Sequence, residues 1–270
     1  MVEQIGPDGV PQWQLVDEGW GRRGPDFAAL SEPANCREYV ALHHRLGVDT
    51  GDRLLDVACG AGLAIELAEI RGAACAGIDA SPRLLEVARL RSDRADLRLG
   101  DMRELPWPDG AFDVVTSFRG IWGTTTEVLA EVFRVLKPGG RLGLTVWGHI
   151  KASPGSWAMA PLALADEPKV AGQAAMVRLG RPGVGEVALH DAGFIEVERL
   201  AVPYAAEFAD PALFAWAMAS TGPGFEAIQA VGEAEFVEAA ARVAPPQQRT
   251  GLPLRAVIDL VGFVARKPPH

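Results

Sequence analysis

Cysteine is scarce in this chain. Cys36, Cys59 and Cys75 are the three in 270 residues, and their spacing forms neither a metal-ligand pattern nor a paired framework. Cys59 sits in a glycine turn and Cys75 in an expected strand, so they read as small buried hydrophobes in a reducing compartment. Long apolar runs are missing as well. No stretch approaches the roughly 20 residues a membrane helix needs, and the first residues lack the basic-then-apolar order of a secretion signal. A cytoplasmic protein with no membrane span is expected. There is no long basic run, and the formal net charge is −9, which argues against nucleic acid as a partner. No Lys-Ser or Lys-Thr pair follows a glycine loop, which excludes a P-loop. What is present is a chain 49% hydrophobic, sufficient for one large domain or a domain with a cap.

Strands and helices alternate through residues 51–148. Strands are expected at 53–57, 74–79, 97–100, 112–117 and 141–147. Helices are expected at 62–70, 82–91 and 125–136, the last stopped by Lys137-Pro138-Gly139-Gly140. Such alternation predicts an α/β fold, a doubly wound Rossmann-like sheet with helices on both faces. Residues 1–50 read as a helical lead-in, with Ser31 as a cap and a helix over 33–46 carrying Tyr39 and His43 on one face. Beyond 148, helices are expected at 153–164, 167–177, 183–192, 210–219 and 224–243, and strands at 194–202 and 254–265. The chain thus divides into a lead-in covering the site (1–50), a cofactor-binding core (51–148), and cap helices with the final strands (149–270).

The informative stretch is Leu54-Leu55-Asp56-Val57-Ala58-Cys59-Gly60-Ala61-Gly62. An apolar strand runs into an acid, then two glycines one residue apart, then a helix start. This layout lets a ligand approach bare backbone. A dinucleotide fingerprint would place a third glycine where Ile65 stands. Two more acids close strands: Asp79, placed to accept from a ribose diol, and Asp101 in Gly100-Asp101-Met102, placed to accept from the exocyclic amine of a purine. Together they specify a ribose and an adenine without phosphates.

From about 54 to 147 the chain resembles the class I S-adenosylmethionine-dependent methyltransferases, and in particular small-molecule methyltransferases of the ubiquinone/menaquinone-biosynthesis type. The resemblance rests on the glycine motif, Asp79, Gly100-Asp101-Met102, Phe112-Asp113-Val114-Val115 and Val135-Leu136-Lys137-Pro138-Gly139-Gly140-Arg141-Leu142, in that order. Ala58 stands where many members carry glycine. The resemblance implies a seven-stranded, mostly parallel sheet with an antiparallel last strand, and S-adenosyl-L-methionine as cofactor, leaving as S-adenosyl-L-homocysteine. It implies Ala58, Gly60 and Gly62 against the methionine part, Asp56 at the turn and the cofactor amine, and Asp79 on the ribose with Ala80 beside the adenine. Asp101 and Met102 would hold the adenine edge, and Ser117 and Phe118 would border the sulfonium. Trp20 and Arg23 would fold over the cofactor, Arg23 pairing with its carboxylate.

The methyl group is already activated by the positive sulfur, so alignment carries most of the catalysis. A general base adds about 10²–10⁴-fold. Candidates are His149, just past the strand at 141–147, and His43 with Tyr39. Arg119, Trp122 and Trp147 are candidate contacts for the small-molecule acceptor, and a homodimer is compatible with the sequence. The alternatives are a non-methylating cyclase or rearrangement enzyme on the same fold, or a cofactor-binding protein that has lost transfer.

Overall fold

The computed structural model describes residues 12–121, 125–165, 177–244 and 251–270. The expected helix at 167–177 and Trp122 lie almost wholly or wholly outside these residues. Five parallel strands form the core: β1 (Arg53–Val57), β2 (Ala74–Asp79), β3 (Asp96–Leu99), β4 (Phe112–Phe118) and β5 (Leu136–Trp147). Two more, β6 (Ile195–Val202) and β9 (Leu260–Arg266), complete a seven-stranded sheet of order β3-β2-β1-β4-β5-β9-β6, in which β9 is antiparallel to both neighbours. β7 (Ala205–Phe208) and β8 (Leu254–Val257) form a separate two-stranded sheet. The order reverses between β1 and β4, which opens a crevice at their carboxyl ends.

Successive side chains on each strand point to opposite faces, and the core divides accordingly. Leu55, Val115 and Leu142 face α5 (Thr125–Val135) and α6 (Val184–Asp191), with Phe112 and Phe263 filling the layer. Their chain neighbours Leu54 and Val114 face the opposite side, with Ile65 of α3 (Leu63–Ile70), Leu85 of α4 (Pro82–Arg91), and Leu42 and Leu46 of α2 (Cys36–Leu46). Before α2 the chain makes a single helical turn, α1 (Gly24–Asp26), and short helical segments. Helix starts follow their capping chemistry: Ser81 Oγ accepts the Leu84 N–H at 3.1 Å and Asp210 Oδ1 accepts the Leu213 N–H at 2.8 Å. Ser31 does not cap. Its hydroxyl donates to the Ala217 carbonyl at 2.7 Å, tying the lead-in to the cap.

The cap has its own core, built from α7 (Pro211–Ala219), α8 (Gly222–Val231), α9 (Glu233–Val243), the helical segment Ser156–Leu164 and the β7–β8 pair. Phe208, Phe214, Phe236 and Leu254 are buried at its centre. Two sequence expectations are corrected here. The helix expected over 224–243 is two helices, because Gly232 adopts φ 86°, a left-handed value that ends α8. The strand expected over 254–265 is two strands in different sheets, separated by Ile258 and Asp259. The short β7 had no expectation. The glycine pair expected as a stop after α5 lies within β5, where the register against β4 shifts between Phe112 and Val114 and Gly139 takes φ 73°. No helix among the described residues is long and apolar enough to cross a membrane.

Candidate functional site

The loop after β1 turns sharply. Ala58, Gly60 and Gly62 adopt φ values of 59°, 55° and 84°. For Ala58 the left-handed conformation costs about 1 kcal/mol, held in place by the neighbouring strands. The loop after β4 lies against it: a Cβ on Gly120 would stand 3.2 Å from the Val57 carbonyl oxygen and 2.9 Å from Ser117 Oγ. Between these loops and the ends of β2 and β3 is a cavity of about 210 Å³.

Twelve sequence candidates line this cavity: Trp20, Tyr39, Asp56, Ala58, Gly60, Asp79, Ala80, Asp101, Met102, Phe118, Arg119 and Trp147. Asp79 is central. Its Oδ2 accepts the Gly60 N–H at 2.8 Å and its Oδ1 accepts the Ser81 N–H at 2.8 Å. Burial raises its pKa, opposed by these backbone hydrogen bonds. Asp56 accepts from Thr116 Oγ1 at 2.7 Å, and burial pushes its pKa up to about 8, so near neutral pH its carboxyl is largely protonated and can donate. Asp101 is held by Arg103, whose backbone N–H, Nε and Nη2 donate to it at 2.9, 2.8 and 2.5 Å. A carboxylate has about four lone-pair sites, so room for one further donor remains.

Arg119 also adopts a left-handed backbone, φ 58°. Its Nε donates to Glu38 Oε1 at 3.3 Å, and its Nη2 lies 3.0 Å from Glu38 Oε2 without hydrogen-bond alignment. Thr145 Oγ1 donates to the same Glu38 carboxylate. Burial opposes the Arg119 charge, but Glu38 together with Tyr204 and Tyr39 offsets this, and the Arg119 pKa stays above the ordinary value. The guanidinium lies over the rings of Trp147 and Tyr204, 4.8 and 5.2 Å from their centroids.

Five candidates do not line the cavity. His149 is exposed and outside both described cavities, because the chain turns outward after Gly148 N–H donates to the Asp259 carbonyl at 2.8 Å. His43 is fully buried one helical turn beyond Tyr39, edge-on to Phe118 with ring centroids 5.6 Å apart. Both its ring nitrogens lack partners and burial lowers its pKa to about 4. Four residues along a helix amount to about 6 Å of rise, enough to put Tyr39 at the cavity and His43 behind its wall. Ser117 is spent on bracing the loops, its hydroxyl donating to the Val57 carbonyl at 2.8 Å. Gly62 serves helix packing: a Cβ there would stand 2.8 Å from Ala88 Cβ. Arg23 is drawn to the cap, with Nη2 3.2 Å from Glu233 Oε1 and the guanidinium 4.7 Å from the Trp216 ring centroid.

Sequence reading missed Glu32 and Asn35, both buried and both in the cavity wall. Glu32 pairs with Arg91 and lies 3.4 Å from the Leu63 N–H at the start of α3. Arg91 also donates to the Ala61 and Ala28 carbonyls at 2.9 and 3.1 Å, fastening the lead-in over the glycine loop. The partners of Glu32 are distant in sequence, so no local pattern announces it; Asn35 donates through Nδ2 to the Tyr39 hydroxyl at 3.0 Å, one helical turn on. Trp13 and Val16 add further apolar cover.

A second cavity of about 250 Å³ adjoins the first. The two share Trp20, Phe27, Asn35, Arg119 and Trp147 as walls.

Residues 55–144 match the family model described as a methyltransferase domain. The matched segment is the one that carries the glycine loop, β1 to β4 and most of β5. The chain is 35% identical over 144 residues to 27-O-demethylrifamycin SV methyltransferase of Amycolatopsis mediterranei, covering 48% of this chain and 53% of that protein. It is 39% identical over 144 residues to demethylmenaquinone methyltransferase of Symbiobacterium thermophilum, covering 47% of this chain and 57% of that one. The chain spans about half the length of these curated relatives. Among solved structures, phosphoethanolamine N-methyltransferase 2 of Haemonchus contortus, in complex with phosphomonomethylethanolamine and S-adenosylhomocysteine, superposes with a TM-score of 0.61 at 19% identity. That match covers 97% of this chain and 61% of that one, and is a likeness of fold.

Proposed function

We propose that this protein transfers the methyl group of S-adenosyl-L-methionine to O, N or C of a small-molecule acceptor. The observation that carries the reading is a cavity at the carboxyl ends of β1, β2 and β3, lined by Asp79, Asp101, Met102 and the left-handed Ala58 and Gly60, and adjoined by a second cavity that shares five of its lining residues. The residues fit the cofactor. Asp79 would receive the ribose hydroxyls, Met102 and Ala80 would flank the adenine, and Asp101 would take its amine alongside Arg103. The glycine loop with Asp56 would meet the methionine part, beneath Trp20 and Tyr39. The cofactor, when bound, supplies a methyl carbon already primed for attack. The chain's own task is to bind, to align and to exclude water.

We take residues 1–50 as the cover over the site, 51–148 as the cofactor-binding core and 149–270 as the acceptor cap with the closing strands. We place the protein in the cytoplasm, and a homodimer is an assembly that sedimentation would check.

Calorimetry with S-adenosylhomocysteine tests the cofactor site, and its absence of binding would end the reading. Acceptor panels scored for S-adenosylhomocysteine release test transfer. A product of unchanged mass formed in the presence of the cofactor would favour the rearrangement alternative instead.

A further inference from the structure

The second cavity is walled by apolar side chains, among them Met159, Leu162, Phe208, Met218 and Ile258. Among the described residues that line it, Arg119 is the one charged group. Neither cavity is lined by a described histidine or lysine. Arg119 lines both cavities and is held on several sides. Its backbone N–H donates to the Thr145 carbonyl at 2.9 Å, Glu38 holds its Nε and Nη2 edge, and Trp147 and Tyr204 hold its faces. Glu38 leaves the Nη1 hydrogens unclaimed, and no described residue accepts from them. The Tyr204 hydroxyl and the Asn35 side-chain oxygen likewise have no described hydrogen-bond partner, and both residues line this cavity.

We propose that this cavity is the acceptor chamber, and that it takes apolar ring compounds bearing an acidic hydroxyl, a phenol or enol, bound as the oxyanion by Arg119. The proposal rests on the methyl-transfer reading above. An anion entering an apolar chamber is costly unless it meets a cationic donor, and Arg119, balanced by Glu38 on one edge, is the cation the chamber offers through its other edge. A fixed, desolvated donor acts at full strength on such an oxygen. The hydroxyl proton leaves to solvent before binding, so a histidine base is not required. Transfer then forms one O–CH3 bond and breaks one S–CH3 bond, whose electron pair goes to sulfur. The negative oxygen becomes a neutral ether and the sulfonium a neutral thioether. Asn35 and Tyr204 add neutral hydrogen bonds to other oxygens on the ring.

The test uses 2-hydroxy-1,4-naphthoquinone, an acidic enol, against its neutral analogue 2-methoxy-1,4-naphthoquinone. Binding is followed by tryptophan fluorescence with S-adenosylhomocysteine present, and S-adenosylhomocysteine affinity is measured separately by calorimetry. The wild type is expected to bind the anionic probe at least about tenfold more tightly, as a charge-assisted hydrogen bond provides. Arg119→Gln should erase the preference, as should Glu38→Gln/Arg119→Gln, which removes both buried charges and so protects folding. Arg119→Lys should keep part of it. S-adenosylhomocysteine affinity is measured in every variant, because Arg119 also lines the first cavity, and the probe preference is read with that ligand at saturation. Equal binding of the two probes, binding of neither, or loss of S-adenosylhomocysteine affinity in the Arg119 variants with the preference intact would each overturn the proposal. A wild type that takes up no S-adenosylhomocysteine would fail the methyl-transfer reading itself, and calorimetry alone reveals that case.

Discussion

The Asp79 carboxylate holds the Gly60 N–H at 2.8 Å, so the end of β2 fixes the shape of the loop after β1. One side chain therefore does two things: it sets the left-handed turn and it presents its remaining lone pairs to the cavity. Neither effect requires the other's residue to be near in sequence, since the two positions are 19 apart.

Replacing Asp79 separates these contributions. Asp79→Asn keeps one acceptor oxygen but removes the charge, and Asp79→Ala removes both. The alanine variant should bind S-adenosylhomocysteine more weakly by about 1.5–3 kcal/mol, the range for hydrogen bonds to a charged group, with the asparagine variant between it and wild type. Calorimetry checks this. Unchanged affinity in both would take Asp79 out of the ribose role.

Arg91 ties Glu32, Ala61 and Ala28 together across the glycine loop. Arg91→Met leaves a buried carboxylate without its partner. A loss of about 3 kcal/mol in urea unfolding is expected, and Glu32→Gln/Arg91→Met should recover much of it. Additive losses in that double-mutant cycle would mean the pair is not coupled.

His43 and Asp56 give opposite pH dependences. His43 titrates near 6.5 when unfolded and at about 4 when folded, because burial disfavours its charge and Arg71 adds to this. The unfolded chain thus binds the proton first as pH falls. Stability is lost from about pH 6.5 down to about 4, reaching about 3 kcal/mol. Asp56, raised to about 8 by burial, favours the folded state at low pH. Its contribution is lost as pH rises from about 4 through about 8. The two overlap between pH 4 and 6.5, so the comparison must be differential. The stability gap between wild type and His43→Leu should widen as pH falls through that window. A constant gap would show that His43 does not titrate on unfolding.

Much of the sheet was legible because its signals are local. Apolar strands, the Gly60-Ala61-Gly62 turn and the Ser81-Pro82 cap each declare themselves within a few residues. What escaped depends on contacts between distant segments. The run 254–265 is apolar but for Arg255 and Asp259, yet Leu254 pairs with Phe208 while Leu260 pairs with Trp147 and Val202. Asp259 stands at the change of sheet, but a single charge in an apolar run does not by itself announce one. The helix over 224–243 hid its break in one glycine. His149 misled because position at a strand end does not fix where the following loop carries a side chain, and His43 because sharing a helical face with Tyr39 does not mean sharing its depth.

Ile258 and Asp259 join the small sheet to the large one, and both are anchored. The Ile258 N–H reaches the Tyr204 carbonyl at 3.4 Å, and the Asp259 N–H donates to Ser153 Oγ at 2.9 Å. The Ile258 wall of the second cavity is therefore riveted to the large sheet, whose loops line the first. A shift of the small sheet against the large one therefore has to break both of these bonds.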